Sequence, residues 1–106
     1  DRGAPQLVVE QLVAGGRVLR PARDAMALRP DQRDVELQYT ALTFLEPANV
    51  RFRYRLDPYD ARWIDAGSRR TAFYTQLPPG RYTFRVEASD AAGGWYEPGV
   101  RLAVQV

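Results

Sequence analysis

An all-β sandwich is the fold this sequence predicts. Three observations predict it: short alternations of apolar and polar residues, turn signals about every eight to twelve residues between them, and no segment that sustains a helical period. The clearest alternation is Arg81 to Ser89. There Tyr82, Phe84, Val86 and Ala88 fall on one side, and Arg81, Thr83, Arg85 and Glu87 on the other. Successive side chains of a strand point to opposite faces, so one face of this segment is core and the other is wet. The turn before it, Leu77-Pro78-Pro79-Gly80, is set by two prolines that fix φ and withdraw donors and by a glycine that accepts angles closed to other residues. A tyrosine two residues past such a turn suits a tyrosine corner, in which the Tyr82 phenol bonds back to the backbone just upstream. That feature narrows the expectation to an immunoglobulin-like (fibronectin III-like) antiparallel β-sandwich.

The chain has 106 residues, the size of one domain, and its 45% hydrophobic content is enough for a core. A single domain over residues 1–106 is expected, and a start at Asp1 without methionine reads as a piece of a longer or processed protein. No apolar run approaches the ~20 residues of a membrane helix. Without cysteine, disulfides, thiolate metal sites and a cysteine nucleophile are excluded. The absence of histidine removes the commonest general base and the commonest metal ligand, and leaves Ser68 and Ser89 without a partner for nucleophilic chemistry. No catalytic residue, cofactor or metal site is expected. The fifteen cationic side chains are all arginine and, against thirteen acids, leave a formal charge of +2, too small an excess to argue by itself for a polyanion partner.

From the N-terminus, Gln6 to Val13 is β-rich, and Gly15-Gly16 between apolar runs signals a two-residue hairpin to Arg17-Val18-Leu19. Pro21 ends this ribbon. Met26 and Leu28 form a short apolar segment before the turn Arg29-Pro30-Asp31-Gln32. Asp34 to Leu42 sets Val35, Leu37 and Tyr39 against Glu36, Gln38 and Thr40, and Phe44 and Leu45 continue the apolar character up to the loop Glu46-Pro47-Ala48-Asn49. Val50 to Leu56 turns Phe52, Tyr54 and Leu56 inward and Arg51, Arg53 and Arg55 outward. After the turn Asp57-Pro58-Tyr59-Asp60, Trp63 and Ile64 form an apolar anchor, Asp65 to Arg70 reads as polar loop, and Thr71 to Leu77 as a strand with Phe73 and Tyr74 on opposite faces. Beyond Ser89, Asp90 to Gly94 is a loop with Trp95 and Tyr96 at its tip. Pro98-Gly99 then leads into a last strand through Val100, Leu102, Val104 and Val106.

Tyr54 and Tyr82 lie on apolar sides and are assigned to core packing, and Trp63 to a plug in the core. Trp95 and Tyr96 either contact a partner or cover the open end of the sandwich. If Tyr54 lies across from Phe84 in an antiparallel pair, Arg51 faces Glu87, Arg53 faces Arg85 and Asp57 faces Arg81; with Arg55 and Arg101 nearby the outer face is basic. Its alternatives are a solvated face or a contact with an acidic glycan or an acidic neighbouring domain. Nucleic acid is disfavoured because no exposed aromatic pair interleaves with these arginines. Asp57, Asp60, Asp65 and Asp90 invite a calcium reading, but Asp90 falls at the opposite end of the sandwich from Asp57 and Asp60, so at most the first three share an ion.

Phe52-Arg53-Tyr54-Arg55-Leu56-Asp57, Trp63, Tyr74, and Leu77-Pro78-Pro79-Gly80-Arg81-Tyr82 together resemble the three-tyrosine (Y_Y_Y) domain of two-component regulator proteins, over nearly the whole chain. In this resemblance Tyr54, Tyr74 and Tyr82 take the three named positions, Trp63 the tryptophan, Leu77, Pro79 and Gly80 the leucine and Pro-Gly, and Gly94-Trp95 the closing pair. Pro58 departs from the glycine usual before Tyr59-Asp60, which affects the shape of that turn. The resemblance implies a non-catalytic, periplasmic domain between a sensor β-propeller and a membrane helix that leads to a histidine kinase or similar output. It also implies a relay of ligand-induced rearrangement and a contribution to a homodimer. The competing readings are a carbohydrate-binding module using Trp95, Tyr96 and Tyr59, and a passive spacer.

Overall fold

The computed structural model describes residues 6–22, 24–42, 50–89 and 94–106. Nine strands follow one another among them: β1 (Gln6–Ala14), β2 (Arg17–Leu19), β3 (Ala25–Ala27), β4 (Val35–Leu42), β5 (Arg51–Asp57), β6 (Ile64–Gly67), β7 (Thr71–Tyr74), β8 (Arg81–Ser89) and β9 (Trp95–Gln105). They form two sheets, ordered β2-β1-β4-β7 and β3-β9-β8-β5-β6, whose facing sides enclose the core. The alternations give this directly: Val35, Leu37 and Tyr39 of β4 meet Phe52, Tyr54 and Leu56 of β5 and Phe84 and Val86 of β8 in one buried cluster. Among the described residues no helix is long and apolar enough to cross a membrane.

Gly15 and Gly16, both at positive φ, join β1 to β2 in the expected two-residue hairpin. The sandwich is not purely antiparallel, because β3 runs parallel to β9. This follows from the chain leaving the first sheet after β2 and, past Pro21, joining the edge of the second. Asp65 to Arg70 is not all loop. Ile64–Gly67 is an edge strand on β5, because the outward Asp65 and inward Ala66 keep a short alternation that the surrounding polar residues obscure. The last strand begins five residues earlier than the sequence suggests: Trp95 pairs with Ser89 and Tyr96 with Ala88, so neither is a loop tip. Pro98-Gly99 lies inside that strand, at a bulge where the pairing with β8 shifts between Val86 and Ala88. Phe44, Leu45, the Glu46-Pro47-Ala48-Asn49 turn and Asp90 fall outside the described residues.

The tyrosine corner is present. The Tyr82 hydroxyl donates to the Pro78 carbonyl at 2.5 Å, while Leu77 is buried and Pro79 stays exposed. Arg33 fastens the same turn, donating from Nε to the Leu77 carbonyl at 2.7 Å and accepting the Leu77 amide at its own carbonyl at 3.1 Å. Tyr82→Phe is expected to cost about 1 kcal/mol, read as a lower denaturation midpoint; an unchanged midpoint removes the corner bond from the stability of the fold.

Candidate functional site

Two clusters of chemically distinctive side chains stand out, one between the sheets and one on the outer side of the five-stranded sheet. In the first, Tyr54 packs edge-on to Tyr74 with ring centroids 6.2 Å apart, and Tyr59 packs edge-on to Tyr74 at 5.7 Å and to Tyr82 at 6.4 Å. The Tyr74 hydroxyl donates to Asp60 Oδ2 at 2.5 Å, and the same oxygen accepts the Leu56 amide at 2.9 Å. The Asp60 amide in turn donates to the Leu56 carbonyl, closing the turn that contains the cis peptide Asp57-Pro58. One carboxylate thus ties β5 of one sheet to β7 of the other. Burial pushes the phenols of Tyr39, Tyr54 and Tyr74 above the ordinary tyrosine value, and at Tyr74 the bond to Asp60 adds to the rise. The sequence places Tyr54 and Tyr82 inside and sets Tyr74 only on the face opposite Phe73; all three tyrosines are buried, and Phe73 is exposed. It offers Asp60 only as a calcium ligand.

The second cluster depends on register. Tyr54 of β5 stands opposite Val86 of β8, two residues from the expected Phe84, so every inward residue stays inward while the outward partners change. Arg53 now faces Glu87 in place of Arg85, and donates to Glu87 Oε1 from Nε at 2.9 Å and from Nη2 at 2.5 Å. Glu87 is only 2% exposed. Arg51 faces Ser89, Arg55 faces Arg85, and Asp57 faces Thr83; Arg101 on β9 lies across from Arg85. Arg55, Arg85 and Arg101 therefore form one cross-strand row of like charge. Asp57 offsets part of it, ion-paired to Arg55 and accepting from Arg85 Nη1 at 3.0 Å.

Trp63 is not a core plug. It lies half-buried on this outer side, covered by arginine. The Arg53 guanidinium carbon sits 4.5 Å from the Trp63 ring centroid and 4.5 Å from that of Trp95, and the Arg85 carbon sits 4.8 Å from Trp63. The result is a ladder, Trp95, Arg53, Trp63, Arg85, laid across the strands and held by cation–π contact. Arg85 Nε is buried without a hydrogen-bond partner among the described residues, and an indole lies against that guanidinium instead. Two indoles do interleave with the arginines, but they are half-buried and covered, so they are not the exposed pair that stacking on nucleic acid would need. The partners stacked on these rings are the protein's own guanidiniums, not free for bases. Tyr96 pairs with the inward Ala88 and is half-buried.

Asp57, Asp60 and Asp65 do not assemble a cation site. Asp57 is taken by Arg55 and Arg85, Asp60 by Tyr74 and Leu56, and Asp65 by the Gly67 amide. Among the described residues no group of three potential ligands could hold a metal ion. Nor do Trp95, Tyr96 and Tyr59 make one aromatic platform. Tyr59 lies beyond the end of β5 near Tyr82, whereas Trp95 pairs with Ser89 at the other end of β8.

Two solved structures share this fold across almost the whole chain. The extracellular domain of a protein from B. thetaiotaomicron, named as a hybrid two component system, matches with a TM-score of 0.84 at 19% identity, covering 97% of this chain and 15% of that one. The extracellular domain of a B. thetaiotaomicron protein named as a one component system matches with a TM-score of 0.80 at 18% identity, covering 96% of this chain and 15% of that one. The chain therefore spans about a seventh of the length of these proteins' matched chains. No curated protein matches it in sequence. The model of the Y_Y_Y domain matches residues 43–106, a narrower span than the resemblance read from the sequence. Because that match takes in more than half of the chain, including β5 to β9 with Tyr54, Tyr74 and Tyr82, this chain belongs to the Y_Y_Y domain family.

Proposed function

We propose that this chain is a non-catalytic, extracytoplasmic relay and dimerisation domain of a bacterial sensor, set between a ligand-sensing propeller and a membrane helix leading to a histidine kinase or similar output. Membership of the Y_Y_Y family and a fold shared with extracellular parts of two-component and one-component systems support this reading. The observation that carries it is how β9 is held. Eight of its eleven residues pair with β8, on both sides of the bulge, Arg53 stacks on Trp95 near one end, and at the other end Val106 and Gly80 exchange backbone hydrogen bonds of 2.9 and 3.1 Å. A strand tied in this way moves as one body with its sheet. A change of orientation applied to the domain is passed on through β9 and is not absorbed within it.

Sedimentation equilibrium on the 106-residue chain over a wide concentration range tests the dimerisation half of this reading. A monomer–dimer equilibrium that shifts with concentration is the expected result. A strict monomer moves the dimer contact to other parts of the parent protein and brings a passive spacer level with the relay.

A further inference from the structure

We propose that the outer face of the five-stranded sheet binds an extended carboxylated polysaccharide, through Arg51, Arg81 and Arg101. This goes beyond the relay reading and does not depend on it. The basic excess of the chain is concentrated on this sheet. The strands of this sheet carry six arginines against Asp57, Asp65, Glu87 and Glu97, whereas the rest of the chain carries nine arginines against nine acids. Three of those four acids are already engaged, Glu87 beneath Arg53, Asp57 between Arg55 and Arg85, and Asp65 by the Gly67 amide. Arg51, Arg81 and Arg101 are exposed and have no ion pair among the described residues.

Their spacing selects an extended ligand. Arg51 stands opposite Ser89, and Arg101 opposite Arg85; Arg81 begins β8. At roughly 3.3 Å per residue the three are about 13 Å apart along the strands and span about 26 Å in all, so a small anion cannot touch all three. The side chains between them are fixed in advance, because Arg53 and Arg85 are stacked on indoles and Arg55 is ion-paired. The ordering cost of binding therefore falls on Arg51, Arg81 and Arg101 alone and not on the side chains between them.

The chemistry of the face favours a glycan over other polyanions. Strands β5 and β8 are paired on both flanks, so an acidic peptide laid across them would find no backbone partners for its own amides. Nucleic acid gains much of its affinity for such surfaces by stacking bases on free rings, and Trp63 and Trp95 are stacked on arginines. A uronate polymer needs neither. Its carboxylates match guanidinium donors in charge-assisted hydrogen bonds, and its repeat presents them along a stiff chain.

Isothermal titration calorimetry of the 106-residue chain with polygalacturonate at low salt tests this. Saturable binding that weakens as salt is raised is expected, with no binding of neutral galactan. The triple variant Arg51→Gln, Arg81→Gln, Arg101→Gln should lose about tenfold or more in affinity and show a flatter salt dependence, since fewer counterions are exchanged. Its thermal midpoint should hold, because all three side chains are exposed. Arg17→Gln with Arg20→Gln, in and just after β2 of the other sheet, should leave affinity unchanged. No binding at low salt, equal loss in the β2 pair, an unchanged triple variant, or equal affinity for neutral galactan, poly-glutamate or single-stranded DNA would each overturn the assignment.

Discussion

Gly99→Ala is expected to destabilise the domain by about 3 kcal/mol or more, combining left-handed backbone strain with overpacking. Gly99 has φ 71°, a conformation in which a side chain is strained. A Cβ there would also stand 2.0 Å from the Val86 carbonyl oxygen and 3.1 Å from Glu87 Cγ. Both obstacles belong to β8, the strand that β9 must pair with on either side of the bulge, so relief requires the backbones to part. Their parting would also disturb Glu87, and with it the Arg53 guanidinium between the two indoles. Urea unfolding measures the loss. A cost within about 0.5 kcal/mol, the range of an ordinary surface change, would mean that the bulge rearranges freely and that Gly99 sets nothing.

Raising the pH above 10 is expected to unfold the domain steeply. Burial holds the phenols of Tyr39, Tyr54 and Tyr74 above their ordinary value near 10 in the fold, with the Asp60 bond adding to the effect at Tyr74. In the unfolded chain the same groups ionise near pH 10. Between those two values the unfolded state has released protons that the folded state keeps. The stability contributed by neutral phenols is therefore complete below pH 10 and is lost as the pH rises toward the folded values. The slope approaches about 1.4 kcal/mol per pH unit for each phenol, or about 4 kcal/mol for three. Because the sequence contains no lysine or cysteine and arginine stays charged, tyrosine is the only side-chain type that titrates in this window. Urea unfolding from pH 8 to 11 should show the fall, and Tyr74→Phe should reduce its slope by about a third. Stability that stays level up to pH 11 would mean that the phenols ionise in place.

The division of residues into inside and outside was legible in the sequence because strands have a period of two, and Tyr54, Phe84 and Leu102 all obey it. Register was not. A slip of two residues leaves every side chain on its own face, so alternation cannot distinguish Val86 from Phe84 as the partner of Tyr54, and the choice decides whether Arg53 meets an acid or a cation. Trp63 was misplaced for a related reason. An indole in a weakly patterned segment suggests core, and nothing in linear order reveals that Arg53 and Arg85 from two other strands supply its cover. Pro98-Gly99 carries turn chemistry whether it opens a strand or interrupts one, and only the pairing of Trp95 with Ser89 settles which. Asp60 has the composition of a surface turn residue. Its partner Tyr74 lies fourteen residues away on the opposite sheet, a meeting that depends on how the two sheets pack.

The two tryptophans of the chain share a single guanidinium on one side of the molecule, and this gives the domain an optical asymmetry. Excited at wavelengths that tyrosine does not absorb, the protein emits only from that ladder. A neighbour that settles on the five-stranded sheet alters the surroundings of both fluorophores at once. One that settles on the opposite sheet, over the exposed Val18 and Phe73, leaves the spectrum as it was. The face by which this domain meets whatever it touches can thus be assigned from its own light, without a label.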